Sequence, residues 1–353
     1  MFIHATGFFS GTSVQEIINK GVPSYKIVVG KPATPGDAMN TGYVAPATVG
    51  TWVNQAFDNL NWYAGVMFWQ FKNDQDGLLL EKAAAGLITR CKNAGIIDSD
   101  SIIDENTNNK NDTNNNTDNN TTNVTDNSTD QNSNNNTTNT TDNTTDNTNN
   151  TNNSTIDDTE INTRNVNYPV KVAYVNSIAS WISGATVAEG MGVPGYAPDH
   201  SYNYIALAFW SYGKPLDMAK VWDDPQPYLK TTFGNTKEET QRAILKRYHD
   251  KGIQLIISAF GATEMPTNQD PVKVADALAD YTIINHLDGV DIDYEDNAAM
   301  QSGAGQTWLI EMNRQLRKRL PNRVIMHAPQ GPYFSSAYAP KGGYLAVDKA
   351  VGS

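Results

Sequence analysis

The sequence has a single cysteine, Cys91, and few charged residues. One cysteine excludes an intrachain disulfide framework and a zinc ribbon. Charged residues make up 18% of the 353-residue chain, with 26 basic against 38 acidic side chains, so a basic nucleic-acid-binding surface is not expected. No apolar run approaches the ~18 residues that a membrane span needs. The first residues have neither the basic nor the apolar region of a signal peptide. We therefore expect no nucleic-acid or membrane partner.

The negative charge is concentrated in one segment. Residues 104–160 hold eleven acidic residues and one basic residue, and so carry −10 of the net charge of −12. Residues 104–165 are almost entirely Asn, Thr, Asp and Ser, and too little apolar surface is present to offset the entropy of ordering. This composition predicts a disordered linker between globular zones at 1–103 and 166–353. Its Asn-x-Ser/Thr sequons predict N-glycans in a secreted protein, although an Asn/Thr-rich repeat also produces sequons by chance.

Both globular zones alternate strand and helix patterns. After the linker, apolar strand patterns occur at 170–175, 204–210, 253–258, 289–295 and 323–328. Helix starts between them include a capping box at Thr236 and Glu239, and Asp270 before Pro271. The N-terminal zone adds strands at 26–30 and 65–70 and helices at 14–20, 48–60 and 78–92. Alternation of this kind predicts a parallel sheet covered by helices, with two strands in one zone and five in the other.

The clearest chemical signal is residues 288–295, Asp-Gly-Val-Asp-Ile-Asp-Tyr-Glu. Because strand side chains alternate between faces, Asp291, Asp293 and Glu295 share one face and the intervening apolar residues share the other. Close like charges raise at least one carboxyl pKa, and a carboxyl that stays protonated near neutral pH can act as a general acid. Glu295 is last in the strand, at the end where barrel active sites form.

Two other interpretations account for this segment less well. A calcium loop begins with similar spacing, but its sixth position is Asp296 rather than glycine and its twelfth is Ser302 rather than glutamate. A solvated acidic turn does not account for the regular apolar residues between the acids.

The segment resembles the Asp-x-x-Asp-x-Asp-x-Glu signature of glycoside hydrolase family 18, the chitinases and endo-β-N-acetylglucosaminidases. Four weaker matches agree with it. Residues 258–261 resemble the Ser-x-Gly-Gly that ends strand three, and residues 327–330 resemble the end of strand five in plant-type and fungal members. Residues 27–33 resemble strand seven, and residues 65–69 resemble strand eight with its tryptophan, Trp69. The resemblance implies an α/β fold, the TIM (β/α)8 barrel.

The resemblance also implies a mechanism. Glu295 would protonate the glycosidic oxygen while the N-acetyl carbonyl of the substrate attacks the anomeric carbon, which is the substrate-assisted exception to the two-carboxylate scheme. Asp293 would orient the acetamido group, and Asp291 would support Asp293.

The remaining site residues have binding or structural roles. Trp69 would form the apolar floor below the sugar, and Tyr174 and Gln330 are candidates for the pocket lining, with an ordinary position at a strand end as the alternative. Asp288 lies on the opposite face of the strand pattern from the three acids. Together with Gly289, it is assigned to the turn into the strand.

The order of these pieces is unusual. The segments that resemble strands seven and eight precede the linker, those that resemble strands one to five follow it, and strand six is found in neither zone. We therefore expect an incomplete barrel that is split by the linker. A fragment of two tandem domains is the interpretation we favour; a circularly permuted barrel, docked across the linker, is the alternative.

The function expected from the sequence is cleavage of β-1,4-linked N-acetylglucosamine, in chitin or chitooligosaccharides, by a secreted enzyme without a cofactor or metal. The alternatives are an endo-β-N-acetylglucosaminidase, a lectin-like module that binds N-acetylglucosamine without hydrolysis, and an inactive fragment. Glu295 favours catalysis, because lectin-type members of the family usually lack this glutamate.

Overall fold

The computed structural model describes residues 2–3, 13–37, 42–70, 73–74, 78–97, 166–175, 202–215, 217–223, 235–250 and 252–351. Met1–Ile103 and Asp158–Ser353 together form one compact unit. The linker predicted at 104–165, with its sequons, lies outside the described residues. In the parts of the chain that the structure describes, no helix has the length and apolar character needed to cross a membrane.

The unit is built on one sheet. Its strands are β1 Phe2–Ile3, β2 Val28–Pro32, β3 Gly65–Trp69, β4 Val170–Val175, β5 Tyr204–Ser211, β6 Lys214–Pro215, β7 Gln254–Phe260, β8 Gly289–Asp293 and β9 Val324–His327. Their order in the sheet is β1-β2-β3-β4-β5-β7-β8-β9, and every neighbouring pair on this path is parallel. The short β6 pairs antiparallel with β5. Parallel strands in chain order, joined through helices, give the α/β, TIM-like architecture.

Helices connect the strands. In the described residues they are α1 Val14–Asn19, α2 Pro46–Leu60, α3 Leu78–Asn93, α4 Asp217–Asp223, α5 Lys237–His249, α6 Pro271–Ile284, α7 Asn297–Ser302, α8 Ala304–Arg319 and α9 Gly343–Val351. The cap signals in the sequence act as predicted: Thr236 and Glu239 form a capping box at α5, and the Asp270 side chain accepts hydrogen bonds from two backbone N–H groups of α6. α2 packs on α3, and α8 packs on α6 and α9.

The two globular zones meet between β3 and β4. The pairing runs from Gly65 beside Val170 to Phe68 beside Ala173. Gly65 has a φ of +122°, and a Cβ atom there would lie 1.9 Å from the carbonyl oxygen of Val170, so this join requires glycine. Both zones therefore contribute strands to one sheet.

The start of the sheet changes one expectation. The resemblance assigned β2 to strand seven, with no strand before it, yet Phe2–Ile3 pairs with β2 on the side away from β3. Two residues therefore extend the sheet at the place where a gap was expected. Among the described residues no pairing joins β1 to β9, and the barrel remains incomplete. Two short side-chain contacts span this side of the unit: Lys20 Nζ donates to the carbonyl oxygen of Phe334 at 2.9 Å, and Lys26 lies 3.4 Å from Asp348.

Candidate active site

The acidic segment lies at the carboxyl end of β8. Asp291 is fully buried and Asp293 is 6% exposed, both on one face of the strand. Tyr294 points the other way, where its ring stacks on Trp308 of α8 with the centroids 5.9 Å apart. The strand is shorter than predicted and ends at Asp293, so Glu295 lies two residues beyond it. The chain turns there because the carbonyl of Glu295 accepts the N–H of Asn297 and α7 begins at once.

Asp291 is held by two hydroxyl groups. Its Oδ2 accepts hydrogen bonds from the Tyr174 hydroxyl at 2.6 Å and from Ser258 Oγ at 2.7 Å. Burial raises the pKa of this carboxyl to about 6, although both hydrogen bonds act in the opposite direction. Its Oδ1 is buried without a hydrogen-bond partner in the structure. A charged Asp291 is therefore costly in the folded protein.

Asp293 lies between two other carboxyl groups. Burial raises its pKa well above the ordinary value, and the charges of Glu295 and Asp291 raise it further. Its Oδ1 is buried and has no hydrogen-bond partner. A buried acceptor without a donor is unfavourable, and an N–H donor on a ligand would relieve the penalty.

Glu295 is half-buried, and its carboxyl group accepts a hydrogen bond from a residue that follows the neighbouring strand. Gln330, just after β9, donates from Nε2 to Glu295 Oε2 at 3.1 Å. Burial raises the pKa of Glu295, and the hydrogen bond from Gln330 opposes the rise. A raised pKa keeps the proton available nearer neutral pH, which suits a general acid.

The aromatic wall of the site comes from both chain zones. Trp69 ends β3 and remains partly exposed. Its ring lies 5.8 Å from that of Tyr174 on β4 and stacks on Phe209 of β5 at 5.7 Å with a 21° angle between the planes. The structure therefore connects Trp69, through Tyr174, to the carboxyl group of Asp291. Phe209 was not selected from the sequence, although it is an aromatic residue near the end of a strand, as Trp69 is.

Asp288 and Gly289 lie at the other end of β8. Asp288 Oδ2 accepts the N–H of Leu255 at 2.7 Å, and His249 Nε2 lies 2.9 Å from Oδ1. A Cβ atom on Gly289 would lie 2.4 Å from the carbonyl oxygen of Val324. The carboxylate fixes the start of the strand, and the glycine allows the close approach of β9.

No group of three or more His, Cys, Asp and Glu side chains in the described ranges could hold a metal ion. What the site offers is a carboxylic acid at its edge, two buried carboxyl groups behind it and an aromatic wall. This set can donate a proton to one atom of a ligand and receive a polar N–H group beside an apolar surface.

Comparisons with known proteins gave partial matches to solved structures. No protein-family model matches the chain, and no curated protein matches it. A GH18 chitinase from Pseudoalteromonas aurantia is 32% identical, with a TM-score of 0.37, over 52% of this chain and 64% of that one. Bacteroides thetaiotamicron EndoBT-3987, solved in complex with a substrate, is 9% identical, with a TM-score of 0.28, over 45% of this chain and 40% of that one. The chain thus spans less than two thirds of either structure, and its function is inferred from the geometry of its own site.

Proposed function

We propose that the chain is a glycosidase that cleaves β-1,4-linked N-acetylglucosamine, with Glu295 as the general acid. The observation that carries this proposal is the position of Glu295, a half-buried carboxyl with a raised pKa that lies directly beyond the two buried carboxyl groups of β8. Desolvation raises the pKa of all three carboxyl groups, and like charge adds to the rise at Asp293, as in sites that transfer protons.

The reaction would proceed in two steps. The proton of Glu295 passes to the glycosidic oxygen as the bond from that oxygen to the anomeric carbon breaks. The carbonyl oxygen of the substrate's own N-acetyl group forms the new bond to the anomeric carbon, which gives an oxazolinium ion. A water molecule then attacks the anomeric carbon and gives one proton to the Glu295 carboxylate. The bond from that carbon to the N-acetyl oxygen breaks, the acetamido group is restored, and the sugar leaves with its configuration retained.

Asp293 would direct the acetamido group. Its unpartnered Oδ1 is suited to accept the acetamido N–H, and this hydrogen bond strengthens as positive charge develops on the ring that forms. Asp291, held by Tyr174 and Ser258, would keep Asp293 in place behind the sugar.

The two remaining contacts have separate tasks. Trp69, stacked on Phe209, would supply the apolar surface on which the sugar ring and the acetamido methyl group lie. Gln330 would hold the Glu295 carboxyl in the orientation needed for proton transfer.

The test is hydrolysis of 4-methylumbelliferyl chitotrioside by the chain and by its Glu295→Gln variant. Glu264→Gln is the matched control, because Glu264 is a half-buried glutamate in the loop after β7 whose Oε1 accepts the N–H of Tyr212. We expect turnover to fall by at least ~100-fold in Glu295→Gln, while sugar binding and the circular dichroism spectrum are retained. Equal turnover in the parent chain and the Glu295→Gln variant would exclude Glu295 as the acid.

A second substrate separates the alternatives. The same residues would serve an endo-β-N-acetylglucosaminidase, so a glycopeptide with a chitobiose core is assayed beside the chitotrioside. Cleavage of the glycopeptide alone would assign that activity instead. Binding of both ligands without cleavage would indicate a lectin-like module.

A further inference from the structure

The residues on either side of Glu295 are held by hydrogen bonds from two different loops. The first comes from Thr267, in the loop between β7 and α6. Its Oγ1 donates to Asp296 Oδ2 at 2.8 Å and lies 2.6 Å from the hydroxyl of Tyr294. Because one hydroxyl has one proton and that proton goes to the carboxylate, the Tyr294 hydroxyl must donate to Thr267. One threonine thereby connects the residue before Glu295 to the residue after it.

The second contact comes from the opposite side of the segment. Tyr333, in the short turn Gly331–Phe334 after β9, donates from its hydroxyl to Asn297 Oδ1 at 2.9 Å. Tyr333 is fully buried, three residues after the Gln330 that holds the Glu295 carboxyl. Gln330 and Tyr333 therefore contact both the acid and the residue two positions beyond it.

Local hydrogen bonds complete the arrangement. Asp296 Oδ1 accepts the N–H of Ala299 at the start of α7, and the ring of Tyr294 is fixed by its stack on Trp308. The backbone at residues 294–297 is thus restrained by a side chain from the loop after β7 and by one from the turn after β9. Glu295 lies between the restrained residues and beyond the end of its strand.

We propose that Thr267 and Tyr333 are positioning residues that set where the Glu295 carboxyl stands relative to Asp293. This inference rests on the proposed function, because the distance between the acid and the residue that orients the acetamido group matters only for that reaction. Both side chains form their hydrogen bonds with residues on either side of Glu295. They act through the backbone on either side of it, and a displacement of about 1 Å at a reacting group can lower the rate by ~100-fold.

Isosteric variants test the proposal. Thr267→Val keeps the side-chain shape and removes both hydrogen bonds, whereas Thr267→Ser keeps the hydroxyl. Thr282→Val is the matched control, because Thr282 is a buried threonine in α6 whose hydroxyl donates to the carbonyl of Leu278, away from the site. With 4-methylumbelliferyl chitotrioside, we expect kcat to fall by ~10- to 100-fold in Thr267→Val with KM within ~3-fold. Thr267→Ser should restore most of kcat, and Thr282→Val should keep it.

The second contact has its own pair of variants. Tyr333→Phe removes the bond to Asn297, and we expect a fall in kcat with little change in KM. Tyr281→Phe is its control, because the Tyr281 hydroxyl donates to the carbonyl of Ala219 in α4. A kcat in both Thr267→Val and Tyr333→Phe that stays within twofold of the parent chain would overturn the proposal, whatever the melting temperatures of these variants.

A measurement without substrate separates this proposal from the proposed function. The titration of a ¹³C-labelled Glu295 carboxyl is followed by NMR, with its signal assigned by its absence in Glu295→Gln. We expect the midpoint to move toward the ordinary value in Thr267→Val, as the carboxyl gains water, and to stay unchanged in Thr282→Val. A moved midpoint in a chain without turnover would support the positioning role and reject the glycosidase. An unchanged midpoint in Thr267→Val would reject the positioning role.

Discussion

Replacement of Asp291 by asparagine should make the protein more stable at neutral pH. Asp291 is fully buried, and its pKa is raised from 3.8 to about 6. At 1.36 kcal/mol for each unit, this rise corresponds to about 3 kcal/mol of unfolding free energy. Because the folded-state pKa is the higher one, this stability is fully present below about pH 3.8 and is lost as the pH rises through about 6. At pH 7.5 the parent chain therefore bears the full cost of the buried charge.

Asparagine removes the charge and keeps a carbonyl oxygen for the hydroxyl groups of Tyr174 and Ser258. We expect Asp291→Asn to gain about 3 kcal/mol over the parent chain at pH 7.5, or roughly 6–12 °C in melting temperature. At pH 4 most of this gain should disappear, because Asp291 is then protonated in the folded protein and no charge is buried. The same variant should lose turnover, as expected where a strained site trades stability for activity.

Thermal unfolding followed by circular dichroism at pH 4 and pH 7.5 measures this effect. Asp250→Asn is the control, because Asp250 is an exposed carboxylate paired with Lys246 and should change the melting temperature by no more than about 2 °C at either pH. A gain for Asp291→Asn that is equal at the two pH values would refute the reasoning, since only the titration of the carboxyl makes it depend on pH. A loss of stability at pH 7.5 would refute it as well.

Three further predictions follow from single contacts. Gln330→Leu removes the hydrogen bond that lowers the pKa of Glu295, so the basic limb of the pH–rate profile should move to higher pH; a profile that stays in place would contradict the assignment of Glu295 as the acid. His249 has a raised pKa, first because of its hydrogen bond to Asp288. The stability that this pair contributes is present below the unfolded pKa of histidine and is lost as the pH rises through the raised pKa of His249. His249→Ala should therefore narrow the difference in melting temperature between pH 5.5 and pH 8.5. An unchanged difference would count against the ion pair. Gly65→Ala places a methyl group against the next strand and should lower the free energy of unfolding, measured with urea, by more than about 3 kcal/mol. Gly95 has a φ of +67° and open space around it, so Gly95→Ala should lower the free energy of unfolding by less.

Local signals in the sequence predicted most of the sheet. The strand patterns at 170–175 and 65–70 match β4 and β3 within one residue, and Asp270 caps its helix as predicted. These features depend on side-chain alternation and on hydrogen bonds between residues close in the chain. Helix α9 and the two-residue β1 carried no comparable signal and were not predicted.

The candidate site was predicted in part. Because side chains two positions apart in a strand share a face, the sequence placed Asp291 and Asp293 on one face, and both are buried in the structure. The contacts that fix the acids come from residues 33 and 117 positions away, Ser258 and Tyr174, and from Gln330, 35 positions from Glu295. Period-two alternation gives the face of a side chain but not its partner across the barrel, so these pairings could be identified only in the structure.

The join between β3 and β4 has a consequence for how the gene can change. These strands pair although 105 positions separate Gly65 from its partner Val170, and residues 104–165 fall within that interval. The sequence predicts a disordered linker at 104–165, and the entropy of closing a flexible loop grows only with the logarithm of its length, about 0.6 kcal/mol for each doubling. On this prediction, repeats in the tract can be gained or lost by replication slippage with almost no effect on the stability of the folded unit. Selection on the site would leave the length of the tract nearly free to drift.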